Sequence, residues 1–195
     1  MKFDLTSIDE IIKESKNVSY NFSDDTLKAV NLEYSKSLMD ESYYKILTAT
    51  ARLYPDAQFL ELGTNTGASA VAYLYGKPNV PIYTYDVIKD SRWFIHDGLS
   101  DKCIFKQESA TDCKYDLKKI DIIFLDMNHD AVMEDKAMLN LHNQGLLKGC
   151  LVILDDIHIN SDMDNWWNNL ALGQIEKVDI TRAGHASGTG ILIFE

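Results

Sequence analysis

Five short apolar runs, set apart by helix-patterned stretches, constrain this chain more than any other feature. They read "AQFLEL" (57–62), "PIYTYD" (81–86), "CIFKQ" (103–107), "DIIFLD" (121–126) and "CLVILD" (150–155). Helix-like segments at 67–75, 89–99 and 131–147 separate most of them. Alternation of strand and helix predicts a parallel sheet covered on both faces. "QIEKVDI" and "GTGILIFE" predict two more strands, joined by a glycine-containing loop. A helix over 162–172 precedes them, with Ser161 as its N-cap and Asp164 three residues on. Upstream, Leu38, Met39, Tyr43, Ile46, Leu47, Leu53 and Tyr54 fall near helical spacing until Pro55 ends the helix. Residues 1–37 are polar and loosely patterned, and read as two short helices. The 195 residues, 46% of them hydrophobic, suit one domain with a full core, residues 38–195, behind an N-terminal helical extension, 1–37.

The net charge of −11 repels phosphate backbones and anionic lipid, so neither nucleic acid nor membrane is expected as a partner. Three cysteines, Cys103, Cys113 and Cys150, lack C-x-x-C spacing and read as reduced thiols, Cys150 in a core strand. The start "MKFDLTSIDEIIKESK" has no apolar run behind a basic segment, and no stretch is apolar enough to span a membrane. A cytoplasmic protein is expected.

Parallel strands of such a sheet end on one edge, where ligands bind. Here the first strand runs out at Glu61, the second at Asp86, the fourth at Asp126 and the fifth at Asp155, followed by Asp156. A single acid at a strand end often caps the next helix. Acids at four of five ends crowd like charges together, which is costly unless cationic ligands or metal ions neutralise them. A dinucleotide site needs G-x-G-x-x-G/A, but only Gly63 and Ala68 fit, since Asn65 holds the second glycine's place. A pyrophosphate would also be repelled by Glu61. An ammonium-bearing ligand without phosphate suits these residues better, and S-adenosylmethionine is one. Asp86 is placed to accept from both ribose hydroxyls. The amides of the 63–69 turn and the Ser69 hydroxyl are placed to hold the methionine carboxylate at a helix N-terminus.

With those residues in view, "LELGTNTGASA" resembles the first motif of class I S-adenosylmethionine-dependent methyltransferases. More narrowly, E-x-G-T-x-T-G-x-S, "DIIFLDMNHD" and "LLKGCLVILDDIH" resemble the small cation-dependent O-methyltransferases of the catechol and caffeoyl-CoA type and their bacterial sugar and natural-product relatives. The resemblance covers roughly residues 38–195. The usual Gly-Gly pair is here Gly149-Cys150, and "QESA" matches the adenine motif only in its last residue, with Ser109 at the adenine contact. The resemblance implies a Rossmann-like, doubly wound, seven-stranded α/β sheet, mostly parallel with an antiparallel last strand. It implies cofactor contacts along Glu61, Gly63, Thr64, Asn65, Gly67, Ser69, Asp86, Ser109 and Asp126. It also implies a divalent metal, such as Mg²⁺, on Asp126, Asp155 and Asp156, three hard oxygen ligands. The acceptor would be a small-molecule hydroxyl.

Asp126 and His129 are the expected catalytic pair. In the family this position holds a lysine or histidine proton acceptor, and a histidine titrates near working pH; the other reading is a surface histidine capping the helix that begins near Asp130. His158 either touches substrate or metal or is an ordinary loop histidine. His185, between the last two strands, is read as distant from the chemistry or on a lid, and His96 and His142 as surface residues. Trp166 and Trp167 cannot both face one way on a helix; either one is core and one at an interface, or one walls the substrate pocket. Open alternatives are a metal-independent methyltransferase and a non-catalytic S-adenosylmethionine-binding protein. Oligomeric state is open too, a homodimer through the extension being one arrangement.

Overall fold

The computed structural model describes residues 1–21, 42–88 and 100–195. The helix expected over 89–99, the start of the one expected from Leu38, the second short helix of the N-terminal region and His96 lie outside them.

Among the described residues seven strands form one sheet: β1 (Phe59–Leu62), β2 (Ile82–Asp86), β3 (Cys103–Gln107), β4 (Ile122–Leu125), β5 (Leu151–Asp155), β6 (Glu176–Asp179) and β7 (Thr189–Ile193). Their order is β3-β2-β1-β4-β5-β7-β6. The first five pair parallel, and β7 runs antiparallel to both β5 and β6. This is the expected doubly wound, mostly parallel sheet. Among the described residues the α-helices are α1 (Leu5–Ser15), α2 (Ser42–Leu53), α3 (Ala68–Tyr75), α4 (Val132–Asn143) and α5 (Ser161–Asn169).

Side chains of a strand alternate between faces, and the sheet's two cores follow that period. Phe59, Ile122, Phe124, Leu151, Ile153, Ile191 and Ile193 bury one face together with Ile8 and Ile11 of α1, Ile46 and Leu47 of α2 and Val71 of α3. Leu60, Leu62, Ile123, Leu125, Val152, Leu154 and Leu192 bury the other against α4 and α5. Strands apolar on both sides are what a sheet covered twice requires. The N-terminal helix therefore packs into the same core as the sheet. Its sequence caps it well, since Asp4 accepts from Ser7 N at 3.0 Å while the Ser7 hydroxyl accepts from Asp4 N at 3.2 Å, a reciprocal cap.

Two local expectations change. Asn160, not Ser161, caps α5, accepting from the backbone of Asp162 and Met163 at 3.0 and 2.9 Å; the helix begins one residue earlier because the amide oxygen of Asn160 reaches both free amides. Cys150 sits one residue before β5, not in it. It is buried, and its thiol donates to Ile120 O and Leu146 O at 2.9 and 3.0 Å. All three cysteines are free. Among the described residues no helix is long and apolar enough to cross a membrane.

Candidate active site

The register decides which acids meet. Glu61 lies opposite Thr84 across β1 and β2. It is the third residue of β1, not its end, and points to the face covered by α3. There it is fully buried, accepting from the Ser69 hydroxyl at 2.5 Å and from Thr84 Oγ1. Thr64 Oγ1 shares a hydrogen bond with Thr84 Oγ1. Burial pushes the Glu61 pKa from 4.5 up to about 7, against the lowering effect of those two hydroxyls. Glu61, Thr64 and Ser69 thus form a closed network behind the turn. Ser69, expected to hold a ligand carboxylate, has its hydroxyl committed to Glu61.

The turn itself is shaped by two left-handed residues, Gly63 at φ 94° and Gly67 at φ 86°. A Cβ on Gly63 would stand 1.7 Å from the backbone oxygen of Asp126, so β1 and β4 approach too closely here for a side chain. Gly67 begins α3 without a side-chain cap. Ahead of the turn opens a cleft of about 420 Å³, walled by Gly63, Asn65, Asp86, Ser109, Asp126 and His129, with Tyr85 and Met133 among its apolar surfaces. Asp86 is oriented by Asn65 N at 2.8 Å and Ile88 N at 3.0 Å. Ser109 Oγ pairs with Thr111 Oγ1 at 2.8 Å. Of the expected cofactor residues, five line the cleft, and Glu61, Thr64, Gly67 and Ser69 support it from behind.

β4 and β5 pair with Leu125 opposite Leu154, so Asp126 and Asp155 leave the sheet side by side. Asp155 and Asp156 are buried, and Asp156 adopts φ 56°. Burial, then the charges of Asp155, Asp156 and Glu61, hold the Asp126 pKa well above the usual carboxylate range. Burial, with Asp156 beside it, likewise raises Asp155. Two histidines attend these acids. His129 Nε2 stands 3.4 Å from Asp126 Oδ1 and 3.5 Å from Asp156 Oδ2. His185 Nδ1 stands 2.9 Å from Asp156 Oδ1 and 3.4 Å from Asp155 Oδ1. Asp155, Asp156 and His185 each offer a ligand atom within 4.8 Å of the others, while Asp126 joins this group through His129.

His129 does not cap α4. Its N-cap is Ala131, and the Asp130 carboxylate ahead of it accepts from Val132 N and Met133 N at 3.0 and 2.9 Å. His129, at φ 56°, is held by its own backbone: its amide donates to Glu134 Oε1 at 2.7 Å, and its carbonyl accepts from Asn160 Nδ2 at 2.8 Å. Glu134 is fully buried. A glutamate in the first turn of a helix reads as a solvated dipole partner, so only the structure reveals this role.

Two expected substrate residues lie elsewhere. Both ring nitrogens of His158 are taken, by Asp164 at 2.6 Å and Asp179 at 2.9 Å, and the hydrogen bond to Asp179 leads the effects that raise its pKa; no nitrogen remains for a ligand. Trp166 donates to Asp135 Oδ1 at 3.2 Å and lines a separate groove between α4 and α5. Trp167 is core, with Lys177 Nζ 4.6 Å over its ring. His185 was missed because it lies far along the chain from Asp155. The usable signal was the antiparallel last strand: Thr189 pairs with Asp155, so β7 must begin at the edge where β5 ends, and its approach loop carries His185 there.

No protein-family model matches the sequence, and no curated protein matches it. Solved structures do match. The SAH-bound methyltransferase PaMTH1 of Podospora anserina superposes with a TM-score of 0.68 at 15% identity, over 100% of this chain and 98% of that one. The SAM-bound O-methyltransferase TomG of Streptomyces achromogenes, involved in tomaymycin synthesis, gives 0.58 at 15% over 92% and 94%. The methyltransferase MycE of the mycinamycin biosynthetic pathway, in complex with Mg, SAH and mycinamycin VI, gives 0.52 at 12% over 73% and 46%. The described residues share the fold of these solved methyltransferase structures.

Proposed function

We propose that this protein is an S-adenosylmethionine-dependent O-methyltransferase acting on a small-molecule hydroxyl with the help of a divalent cation. The observation that carries the reading is the continuity of one cleft, from Asp86 at one end to Asp126 and His129 at the other, with Asp155 and Asp156 beside it. S-adenosylmethionine would supply a methyl group carried on a sulfonium: the acceptor oxygen would bond to the methyl carbon as the carbon–sulfur bond breaks, leaving S-adenosylhomocysteine. Asp86 accepts from the ribose hydroxyls. Gly63 lets the turn's backbone close on the ligand, and Ser109 lies at the adenine end. Asp126 faces the cationic end.

The donor set fits a divalent cation. Asp155 Oδ1 is buried without a hydrogen-bond partner, and a buried unpaired carboxylate oxygen is costly. Asp126, Asp155 and Asp156 are the residues that would hold the ion. A bound divalent cation makes a nearby hydroxyl more acidic. MycE, complexed with Mg and SAH, supports pairing the two on this fold. His129 takes the proton of the acceptor hydroxyl at Nε2, the ring atom between Asp126 and Asp156. A negative oxygen attacking a cation loses charge on the way to the transition state, so positioning in a dry cleft does most of the work.

A second reading has its own observation. Each acid of the cluster already stands beside an imidazole, and two protonated histidines would offset most of the charge of three aspartates without an ion. Methyl transfer to a panel of catechols, sugars and polyketide hydroxyls, assayed with and without EDTA, decides between the two. Activity lost in chelator and restored by a divalent salt supports the metal reading; full activity in chelator refutes it.

A further inference from the structure

We propose that His185 is a direct ligand of the cation site, adding an imidazole to its aspartates in a set that selects a first-row transition-metal ion over Mg²⁺. The inference deepens the metal-assisted reading above and rests on it. Three observations meet here. Neighbouring ligand atoms of an octahedral ion with bonds of about 2.1 Å lie about 3 Å apart, and His185 Nδ1 stands 2.9 Å from Asp156 Oδ1 and 3.4 Å from Asp155 Oδ1. Asp155, 4% exposed, turns an oxygen with no hydrogen-bond partner toward that same nitrogen. The third is the way the His185 loop is fastened. His185 N donates to Thr189 Oγ1 at 2.8 Å, His158 N donates to Ser187 O at 2.7 Å, and the Ser187 hydroxyl donates a hydrogen bond to Asp156 Oδ1.

The consequence is one of ligand chemistry. Mg²⁺ takes oxygen ligands and keeps waters, whereas imidazole favours ions later in the first row, and affinity rises from Mn²⁺ toward Cu²⁺. Three aspartates alone would leave a hard oxygen site. Adding Nδ1 of His185 moves the preference to ions of the Mn²⁺, Co²⁺ and Zn²⁺ class. The rival account is that His185 is a built-in counter-ion, an imidazolium seated against Asp155 and Asp156 with no ion required.

The test uses the full chain, wild type, His185→Gln and His129→Gln, with Mn²⁺, Co²⁺ and Mg²⁺ as probes and S-adenosylhomocysteine calorimetry on the same samples. Pulsed EPR of bound Mn²⁺ should show nitrogen hyperfine modulation in the wild type that vanishes in His185→Gln. By calorimetry, Co²⁺ should bind at least on the order of tenfold tighter than Mg²⁺, and His185→Gln should erase most of that preference. Absence of nitrogen modulation in the wild type overturns the proposal, whatever the variant's folding. So does modulation that survives in His185→Gln and disappears in His129→Gln. Failure of any ion to bind at millimolar concentration, with cofactor binding intact, also overturns it and makes His185 the counter-ion. If S-adenosylhomocysteine fails to bind while the His185-dependent nitrogen signal is present, the methyltransferase reading falls and the ligand assignment stands.

Discussion

The two halves of the strand-end edge are built on opposite principles. On the β1–β2 side the polar groups answer one another: Glu61 is satisfied by Ser69 and Thr84, Thr84 by Thr64, and Asp86 by the Asn65 and Ile88 amides. On the β4–β5 side, groups are left over. Asp155 Oδ1 and His129 Nδ1 are buried without hydrogen-bond partners, and Asp126 and Asp155 carry pKa values raised by burial and by neighbouring carboxylates. A closed network makes a rigid cradle that exists before any ligand arrives. An unsatisfied cluster carries electrostatic cost that a cation relieves. On the proposed function, the first half would hold a cofactor in place and the second would hold charge.

The largest way to break the division is at its seam. Gly63→Ala puts a methyl 1.7 Å from Asp126 O in a left-handed backbone, so it should destabilise the fold by about 4 kcal/mol or more; chemical denaturation checks this, and a loss below about 1 kcal/mol would mean the strands are not so tightly apposed. Next comes the cradle. The Glu61 pKa is raised from 4.5 to about 7, so the folded state binds more protons than the unfolded one between those values. Stability should fall as pH rises across that window, by about 3 kcal/mol in total, and level off above it. Glu61→Gln should flatten that part of the stability profile, and an unchanged slope would remove Glu61 as its source.

The charge-holding half is sharpened by Asp155→Asn. Removing one buried charge from the crowded cluster should leave S-adenosylhomocysteine affinity within about threefold, while divalent-ion affinity drops at least on the order of 100-fold. Equal losses of both ligands would mean that the halves are not separable. The smallest effect is at the cap that joins α5 to the His129 loop. Asn160→Ala should cost about 1 kcal/mol of stability and also release the His129 carbonyl it binds.

The fold was legible because each strand announced itself as a short apolar run and the turn carried its glycines. The identities of the cleft-lining Gly63, Asn65, Asp86, Ser109, Asp126 and His129 were legible with it. What sequence spacing could not give was direction across the sheet. Glu61 and Asp86 look alike in the string, yet Glu61 falls one residue short of the end of β1 and turns under α3, while Asp86 closes β2 and opens onto the cleft. His158 sits close to Asp155 and Asp156 in sequence but is drawn off by Asp164 and Asp179. His185 is remote in sequence and returns through strand pairing. Glu134 hides a buried hydrogen bond behind an ordinary helix-surface position. In each case side-chain direction, set by register and by the partner that reaches the group first, outweighed distance along the chain.

The central claim is that this edge is a preformed cofactor cradle beside a cation-binding cluster. Because the acceptor is unidentified, it is tested most directly by calorimetric titration of S-adenosylhomocysteine into the ion-free wild type and into Asp86→Ala. The account expects saturable binding to the wild type without added metal, weakened by roughly 10- to 100-fold in the variant through the lost ribose hydrogen bonds. No heat of binding at millimolar ligand, or equal affinity in both proteins, would contradict it.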